Sequence, residues 1–412
     1  MDTAELKFVV SDQNKLIPNK RSIERDIFGK LIKSYQNDLI TIITGVRRSG
    51  KSTILQQLTK ENEGFYLSFD DERLINFTVE DFQNLYELLI EMYGPRNIFY
   101  LDEIQNIKGW ERFIRRLHDE GKKVFLTGSN ANLLSKELGT HLTGRNIRFE
   151  LYPFSFHEYL KFKDLSTEIV FDTQGIALMK ANFNDYLING GLPEFLASHE
   201  IDYLKSLYND LIYRDIIVRY HLPNEKVVKE FANIGINSTA KPISYNSIKS
   251  YLNLGSATTI SEYFSYFREC YLLFLVNCYK DSLKKQSQNP KKLYCIDNSL
   301  FSFISFRHSG DYGRMLENAV FLHLMRTGKE VFYHNESKEC DFIIRTGVHI
   351  TSAIQVCFEL TETNKERELA GLQEAMKAYN LTEGTIITFG QEFSESNIKV
   401  IPAWKWMLQD LD

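Results

Sequence analysis

Along the first 155 residues, short apolar runs alternate with longer segments of helical period. The runs at 39–44, 65–69, 97–101, 123–127 and 148–151 are rich in Ile, Val, Phe and Leu, the length and composition of buried strands. Between them, apolar residues recur three and four apart. Ile54, Leu55 and Leu58 mark a first helix. Phe82, Leu85, Leu88, Leu89 and Met92 mark another, behind Thr78-Val79-Glu80-Asp81, which resembles a capping box. A further helix over 111–120 is stopped by Gly121. Five strands with intervening helices predict a parallel α/β sheet.

The pattern then changes. Residues 156–206 read as mostly helical, broken by a turn at Asn189-Gly190-Gly191-Leu192-Pro193. From 207 to 300 come a short helix over 245–254 capped by Ser244 and a second helix over 259–270. An apolar strand over 271–279, a lysine-rich segment and a return strand over 293–296 follow. Two helices and a hairpin with a basic tip predict a winged helix. The last region predicts a small α/β domain: helix 314–325, strands at 331–334 and 353–357, helix 363–379 and strand 385–389. The expected division is therefore 1–155, a helical linker at 156–206, a winged helix at 207–300 and the α/β domain at 301–412.

Candidate chemistry concentrates at strand ends. The first strand runs into Gly45-Val46-Arg47-Arg48-Ser49-Gly50-Lys51-Ser52-Thr53, a complete phosphate-binding loop opening onto a helix. Gly45 and Gly50 permit the turn, and Lys51 is expected to reach the β- and γ-phosphates. The Ser52 hydroxyl is expected to hold Mg²⁺. The strand at 97–101 ends in Asp102-Glu103: Asp102 is the expected Mg²⁺ partner and Glu103 the expected base for the attacking water. The strand at 123–127 delivers Ser129 and Asn130 to the same edge, where they either sense the γ-phosphate or cap a helix beginning at Ala131. No guanine-reading Asn-Lys-x-Asp motif stands at a suitable place. With a further strand at 64–69 between loop and acidic strand along the chain, ATP is the expected nucleotide. Arg145 is a candidate arginine finger reaching a neighbouring copy in a homo-oligomer, or else a structural arginine.

Charge adds one signal. The chain carries −5 overall, yet residues 205–292 carry a surplus of +6. Lys280, Lys284, Lys285, Lys291 and Lys292 cluster at the expected wing and are candidate contacts to double-stranded DNA phosphates. Glu262 and Glu269 are expected on the exposed side of the second helix, which argues against base reading by that helix. Further on, Glu317 on a helix, Asp341 opening a strand and Gln355-Val356-Cys357 on the next match the skeleton of PD-(D/E)xK nucleases, except that Cys357 stands where the lysine belongs. A thiol supplies no cation, so the expected fold is nuclease-like and catalytically degenerate. The five scattered cysteines read as reduced core residues. With no apolar leader and no membrane-length run, a cytoplasmic chain is expected.

Together, the phosphate loop, Leu101-Asp102-Glu103-Ile104-Gln105, Leu126-Thr127-Gly128-Ser129, Thr143-Gly144-Arg145, Pro153-Phe154-Ser155-Phe156 and the Gln355-Val356-Cys357 strand resemble the bacterial and archaeal ATP-binding family that joins an AAA-type core to a C-terminal domain of unknown function. The resemblance covers nearly the whole chain. It implies an AAA-like ATPase, a winged helix and a degenerate nuclease fold. The expected function is Mg-dependent ATP hydrolysis whose nucleotide state controls a DNA-facing C-terminal half. A protein-interaction or oligomerisation switch without DNA binding is one alternative, and an ATP-gated metal-dependent nuclease is another.

Overall fold

The structure is a computed structural model describing residues 1–15, 22–129, 144–304 and 311–409. It divides into two compact units, Met1–Leu151 and Tyr152–Asp412. The division falls between Leu151 and Tyr152, and the expected cuts at 155/156, 206/207 and 300/301 all lie within the second unit.

In the first unit, β1 (Ile40–Thr44), β2 (Phe65–Ser68), β3 (Ile98–Asp102), β4 (Lys123–Gly128) and β5 (Asn146–Glu150) form one sheet in the order β2-β3-β4-β1-β5. Every pairing is parallel. All five expected strands are present. The strand standing between β1 and β3 is β4, while the 64–69 segment became the edge strand β2. Helices α1 (Thr3–Lys15), α2 (Phe28–Lys33), α3 (Lys51–Glu61), α4 (Phe82–Tyr93) and α5 (Trp110–Asp119) cover the sheet.

Alternation along the strands explains why both faces need cover. Phe65, Leu67, Phe99, Leu101, Val124 and Leu126 pack with α1, α4 and α5. Their neighbours Tyr66, Tyr100 and Phe125 pack with α2 and α3. A strand apolar on both sides is stable only between two helical layers. The capping box at Thr78 and Asp81 is formed as read. Helix α1, which periodicity did not reveal, covers the free edge of β2. Its Gln13 amide donates to the Ser68 carbonyl (3.0 Å) and accepts from the Ser68 N–H (2.7 Å), as a partner strand would.

The second unit begins with helices Phe156–Phe162, Thr173–Asn189, Pro193–Ser198, Ile201–Ile212 and Glu225–Asn237. The Asn189–Pro193 turn is closed by buried Asp297, which accepts the Gly191 N–H (2.7 Å). At Gly190, φ is +69°, and a Cβ would lie 1.9 Å from an Asp297 carboxylate oxygen, so only glycine fits. Next come β6 (Pro242–Ile243), helices Tyr245–Tyr251 and Ala257–Glu269, β7 (Leu273–Asn277), helix Leu283–Gln288 and β8 (Lys291–Cys295). These three strands form an antiparallel sheet in the order β6-β8-β7.

Helices Asn298–Ile304 and Tyr312–Arg326 lead to a six-stranded mixed sheet. It contains β9 (Glu330–Asn335), β10 (Glu339–Thr346), β11 (His349–Val356), β12 (Gly384–Thr388), β13 (Phe393–Glu395) and β14 (Ile398–Pro402), ordered β13-β14-β12-β11-β10-β9. Helix Lys365–Ala378 packs Leu372, Ala375 and Met376 on Ile343, Ala353 and Ile386 of this sheet. All five cysteines are free and buried. Among the described residues no helix is long and apolar enough to cross a membrane.

Candidate functional site

The phosphate loop forms where β1 ends and α3 begins. Strand β1 is wholly buried, so the chain must leave it at Thr44 in a tight turn over the sheet edge. A Cβ on Gly45 would lie 2.1 Å from the Leu151 carbonyl oxygen, so the loop passes there as bare backbone. Gly50, at φ +97°, is the last residue before α3. Lys51 is buried, and its Nζ donates to the loop's own Gly45 (3.1 Å) and Val46 (3.0 Å) carbonyls. The Ser49 hydroxyl is buried without a hydrogen-bond partner.

The acidic strand end meets this loop. Asp102 is buried, with one carboxylate oxygen accepting from the Thr127 hydroxyl and the other from the Ser68 hydroxyl (3.1 Å). The nearby Ser52 hydroxyl favours the same charged form. Burial, then the neighbouring Glu103 charge, push the Asp102 pKa above its ordinary range, against those hydrogen bonds and Lys51. Glu103 adopts left-handed backbone (φ +50°), a conformation non-glycine residues rarely hold outside constrained sites. This turn aims its carboxylate back over the sheet edge. Its Oε1 stands 3.9 Å from Lys51 Nζ, and its Oε2 accepts from the Ser129 N–H (3.3 Å) and the Gln105 amide.

The structure therefore brings together Gly45, Ser49, Gly50, Lys51, Ser52, Asp102, Glu103 and Ser129. Val46, Arg47 and Arg48 complete the loop, and Thr53 lies in the first turn of α3. Asn130 lies outside the described residues. Thr127 and Gln105 stand inside the quoted motifs without an expected role, and Ser68 was missed because a single polar residue at a strand end carries no pattern. Arg25 was missed too. It is buried and donates to the Ser49 carbonyl (2.8 Å), but nothing in its local sequence marks it.

Arg145 lies away from its own chain's phosphate loop. It precedes β5, whose Asn146 pairs with Ile40 at the start of β1. The phosphate loop leaves the other end of β1, about 16 Å away at the rise of a strand. Here Arg145 binds Asp119 at the end of α5 (2.7 Å), a structural contact within its own chain.

The lysine cluster also divides differently from expectation. Lys284 and Lys285 are exposed on the helix Leu283–Gln288. Lys280 is tied to Glu336 (3.3 Å) and the Asn335 carbonyl (3.2 Å). Lys291 and Lys292 are buried, so they cannot touch a DNA backbone. Lys291 donates to the Gln286 and Ser287 carbonyls. Lys292 turns inward to Asp341 (2.7 Å), Glu339 (2.8 Å) and Glu317 (3.1 Å). Glu269 is buried rather than exposed, accepting from the Tyr220 and Ser265 hydroxyls.

Glu317 and Asp341 thus converge on Lys292. Gln355 joins them through its side-chain oxygen, which accepts the Asp341 N–H (3.2 Å), while its amide donates to Glu368 (2.6 Å). The Cys357 thiol, pushed up to about 11 chiefly by burial, donates to the Glu359 carbonyl (3.1 Å) and carries no charge at neutral pH.

Comparison with known proteins fits this geometry. The family described as "AAA domain" matches residues 37–160. Two domains of unknown function, DUF8612 and DUF4143, match 180–309 and 312–406. The chain is 36% identical to the uncharacterized protein MJ1544 of Methanocaldococcus jannaschii, over 97% of this chain and 94% of that protein. The chain belongs to the family of MJ1544. Another relative, an uncharacterized protein of Haemophilus influenzae, is 29% identical over 95% of this chain and all of its own length. Among solved structures, the Walker-type ATPase paby2304 of Pyrococcus abyssi aligns with a TM-score of 0.46 and 16% identity, over 70% of this chain and 99% of that one. Likeness at that level bears on neither substrate nor partner. The family architecture is a P-loop, ATPase-like AAA domain followed by the DUF4143 domain.

Proposed function

We propose that this chain binds ATP with Mg²⁺ at the phosphate loop, hydrolyses it, and uses its nucleotide state to control its C-terminal unit. One observation carries the reading: Lys51 Nζ of the phosphate loop stands 3.9 Å from Glu103 Oε1 of the acidic strand end. Two groups from distant parts of the chain, each expected to act on the same nucleotide, are brought together. Ser52 and Asp102 would hold Mg²⁺, which when bound neutralises charge on the phosphates. Lys51 exchanges its two carbonyl partners for phosphate oxygens. Glu103, turned over the sheet edge, takes the proton of the attacking water. The test is ATP turnover and nucleotide binding in Glu103→Gln. Retained binding with lost turnover supports the reading, and turnover at the wild-type rate sinks it.

For the C-terminal unit, the order helix Glu225–Asn237, β6, two helices, β7, β8 supports a winged helix. Exposed Lys284 and Lys285 support contact with a DNA backbone through its wing. Stimulation of ATP turnover by duplex DNA at low salt tests this. The second reading, a protein-interaction or oligomerisation switch, is favoured by exposed Tyr251 and Leu283 on the same segment, 72% and 83% accessible. Nucleotide-dependent assembly without DNA affinity would select it. The order helix Tyr312–Arg326, β9, β10, β11, helix Lys365–Ala378, β12 supports a nuclease-like domain. Neutral Cys357 in the lysine position supports its being inactive.

A further inference from the structure

Lys292 lies in β8, paired with Pro242 of β6 and Val276 of β7, and its side chain is 1% exposed. An ammonium group carries three donors. Three carboxylate oxygens stand within bonding distance of this one: Asp341 Oδ1 at 2.7 Å, Glu339 Oε1 at 2.8 Å and Glu317 Oε1 at 3.1 Å. Asp341 and Glu317 accept hydrogen bonds from the ammonium and Glu339 completes the ion pairing, so three carboxylates surround one cation. The acids are held in turn: the Tyr294 hydroxyl donates to Glu317 Oε1 (2.7 Å), and the Val356 N–H donates to Asp341 Oδ2 (2.8 Å). Burial alone would lower the Lys292 pKa, but Asp341, Glu317, Tyr294 and Glu339 hold it well above its ordinary value. The surrounding carboxylates favour the charged ammonium.

Oxygen atoms from separate carboxylates converging on one point are what a hard divalent cation requires. Here the point is filled from within the chain. Among the described residues, no group of His, Cys, Asp and Glu side chains stands ready for a metal ion. We propose that Lys292 is a built-in cation replacing a divalent metal at the Glu317–Glu339–Asp341 centre, so that this centre is closed to metal in the native chain and opens when Lys292 is removed. Lys292 reaches the centre from β8, a strand of the three-stranded sheet, whereas Glu339 and Asp341 stand on β10 of the six-stranded sheet. This built-in cation also accounts for the missing lysine at Cys357: one cation of the nuclease-like skeleton is lost, and the other is an amine that cannot leave. The proposal does not depend on ATP hydrolysis.

The experiment titrates Mn²⁺ into the nucleotide-free full chain and follows free Mn²⁺ by electron paramagnetic resonance. In the native chain, Asp341→Asn is expected to leave Mn²⁺ uptake unchanged. Lys292→Ala is expected to gain one Mn²⁺ per chain, lost again in Lys292→Ala/Asp341→Asn. Asp341-dependent uptake by the native chain overturns the proposal, and so does a folded Lys292→Ala chain that takes up none. If Lys292→Ala does not fold alone, Mn²⁺ present during refolding is the second readout. Asp341-dependent rescue supports the proposal, and failure of rescue counts against it.

Discussion

Lys51 in the first unit and Lys292 in the second are both buried beside carboxylates, and their surroundings differ in one respect that decides what each can do. Lys51 spends its hydrogen bonds on two backbone carbonyls of its own loop and sits 3.9 Å from Glu103, too far for a direct bond. Its neighbour Ser49 keeps a buried hydroxyl without a partner. Such a site gains by taking up an anion. Lys292 is hydrogen-bonded to two acids and ion-paired to a third. Residue types alone would make the two sites look alike. The first ammonium holds neutral carbonyls and the second holds carboxylates, so on the proposed reading the first is a site waiting for phosphate and the second is saturated by charge.

The strongest challenge to the waiting site is removal of its cation or base. Lys51→Ala should lower turnover on the order of 10²–10³-fold or more, with nucleotide binding lost, since one preorganised donor is worth that much. Glu103→Gln should lower turnover about 10²–10⁴-fold while binding persists. Equal loss of binding in both variants would make Glu103 a structural partner of Lys51. Gly45→Ala should also close the site, because its Cβ meets the Leu151 carbonyl at 2.1 Å. Destabilisation of the first unit by about 1–3 kcal/mol is expected, read by chemical denaturation.

The saturated site breaks in the opposite sense. Lys292→Met leaves buried acids uncompensated and should destabilise the second unit by about 3–5 kcal/mol. In the native chain Glu317 is pushed up to about 7, by burial first and then by the Asp341 charge, despite Lys292. Its folded-state pKa is thus above the ordinary 4.5. Protonated Glu317 favours the folded state, and that stability is lost as pH rises through about 7. Replacing Glu317 with Gln should remove this slope between about pH 4.5 and 7, as measured by thermal melts. A slope unchanged by the substitution would mean that Glu317 is ionised throughout.

Two smaller effects test the surface. With Lys291 and Lys292 buried, the counterion-release slope for duplex DNA should be near −2 from Lys284 and Lys285, each contributing roughly −0.9. Replacing both with alanine should abolish it; a slope that persists would place DNA elsewhere or favour the interaction switch. Arg145→Ala removes a half-exposed ion pair and should cost about 0–1 kcal/mol with turnover intact. A loss of about 10³-fold or more would instead reveal a finger acting between copies of the chain.

The chain's own pattern determined the sheet, the phosphate loop and the acidic strand end, because each is a local signal. Buried strands read as apolar runs, helices as a 3.6-residue period, and the loop as glycines at fixed spacing between them. Glu317, Asp341 and Gln355 were picked out by their places on single elements, a reading that did not name Lys292 as the group joining Glu317 to Asp341. What lay beyond the sequence was whatever depends on two distant segments meeting. Lysines in one basic run look equivalent along the chain, yet Lys284 and Lys285 stay in solvent on the helix Leu283–Gln288 while β8 turns Lys292 into the interior. Arg145 stands beside a motif in sequence but at the far end of the parallel sheet from the phosphates, because β5 begins where β1 begins. Arg25 and Gln13 act on Ser49 and Ser68 from segments that carry no motif. A side chain's charge is written in the sequence, but its partner and exposure are set only when the tertiary fold chooses its neighbours.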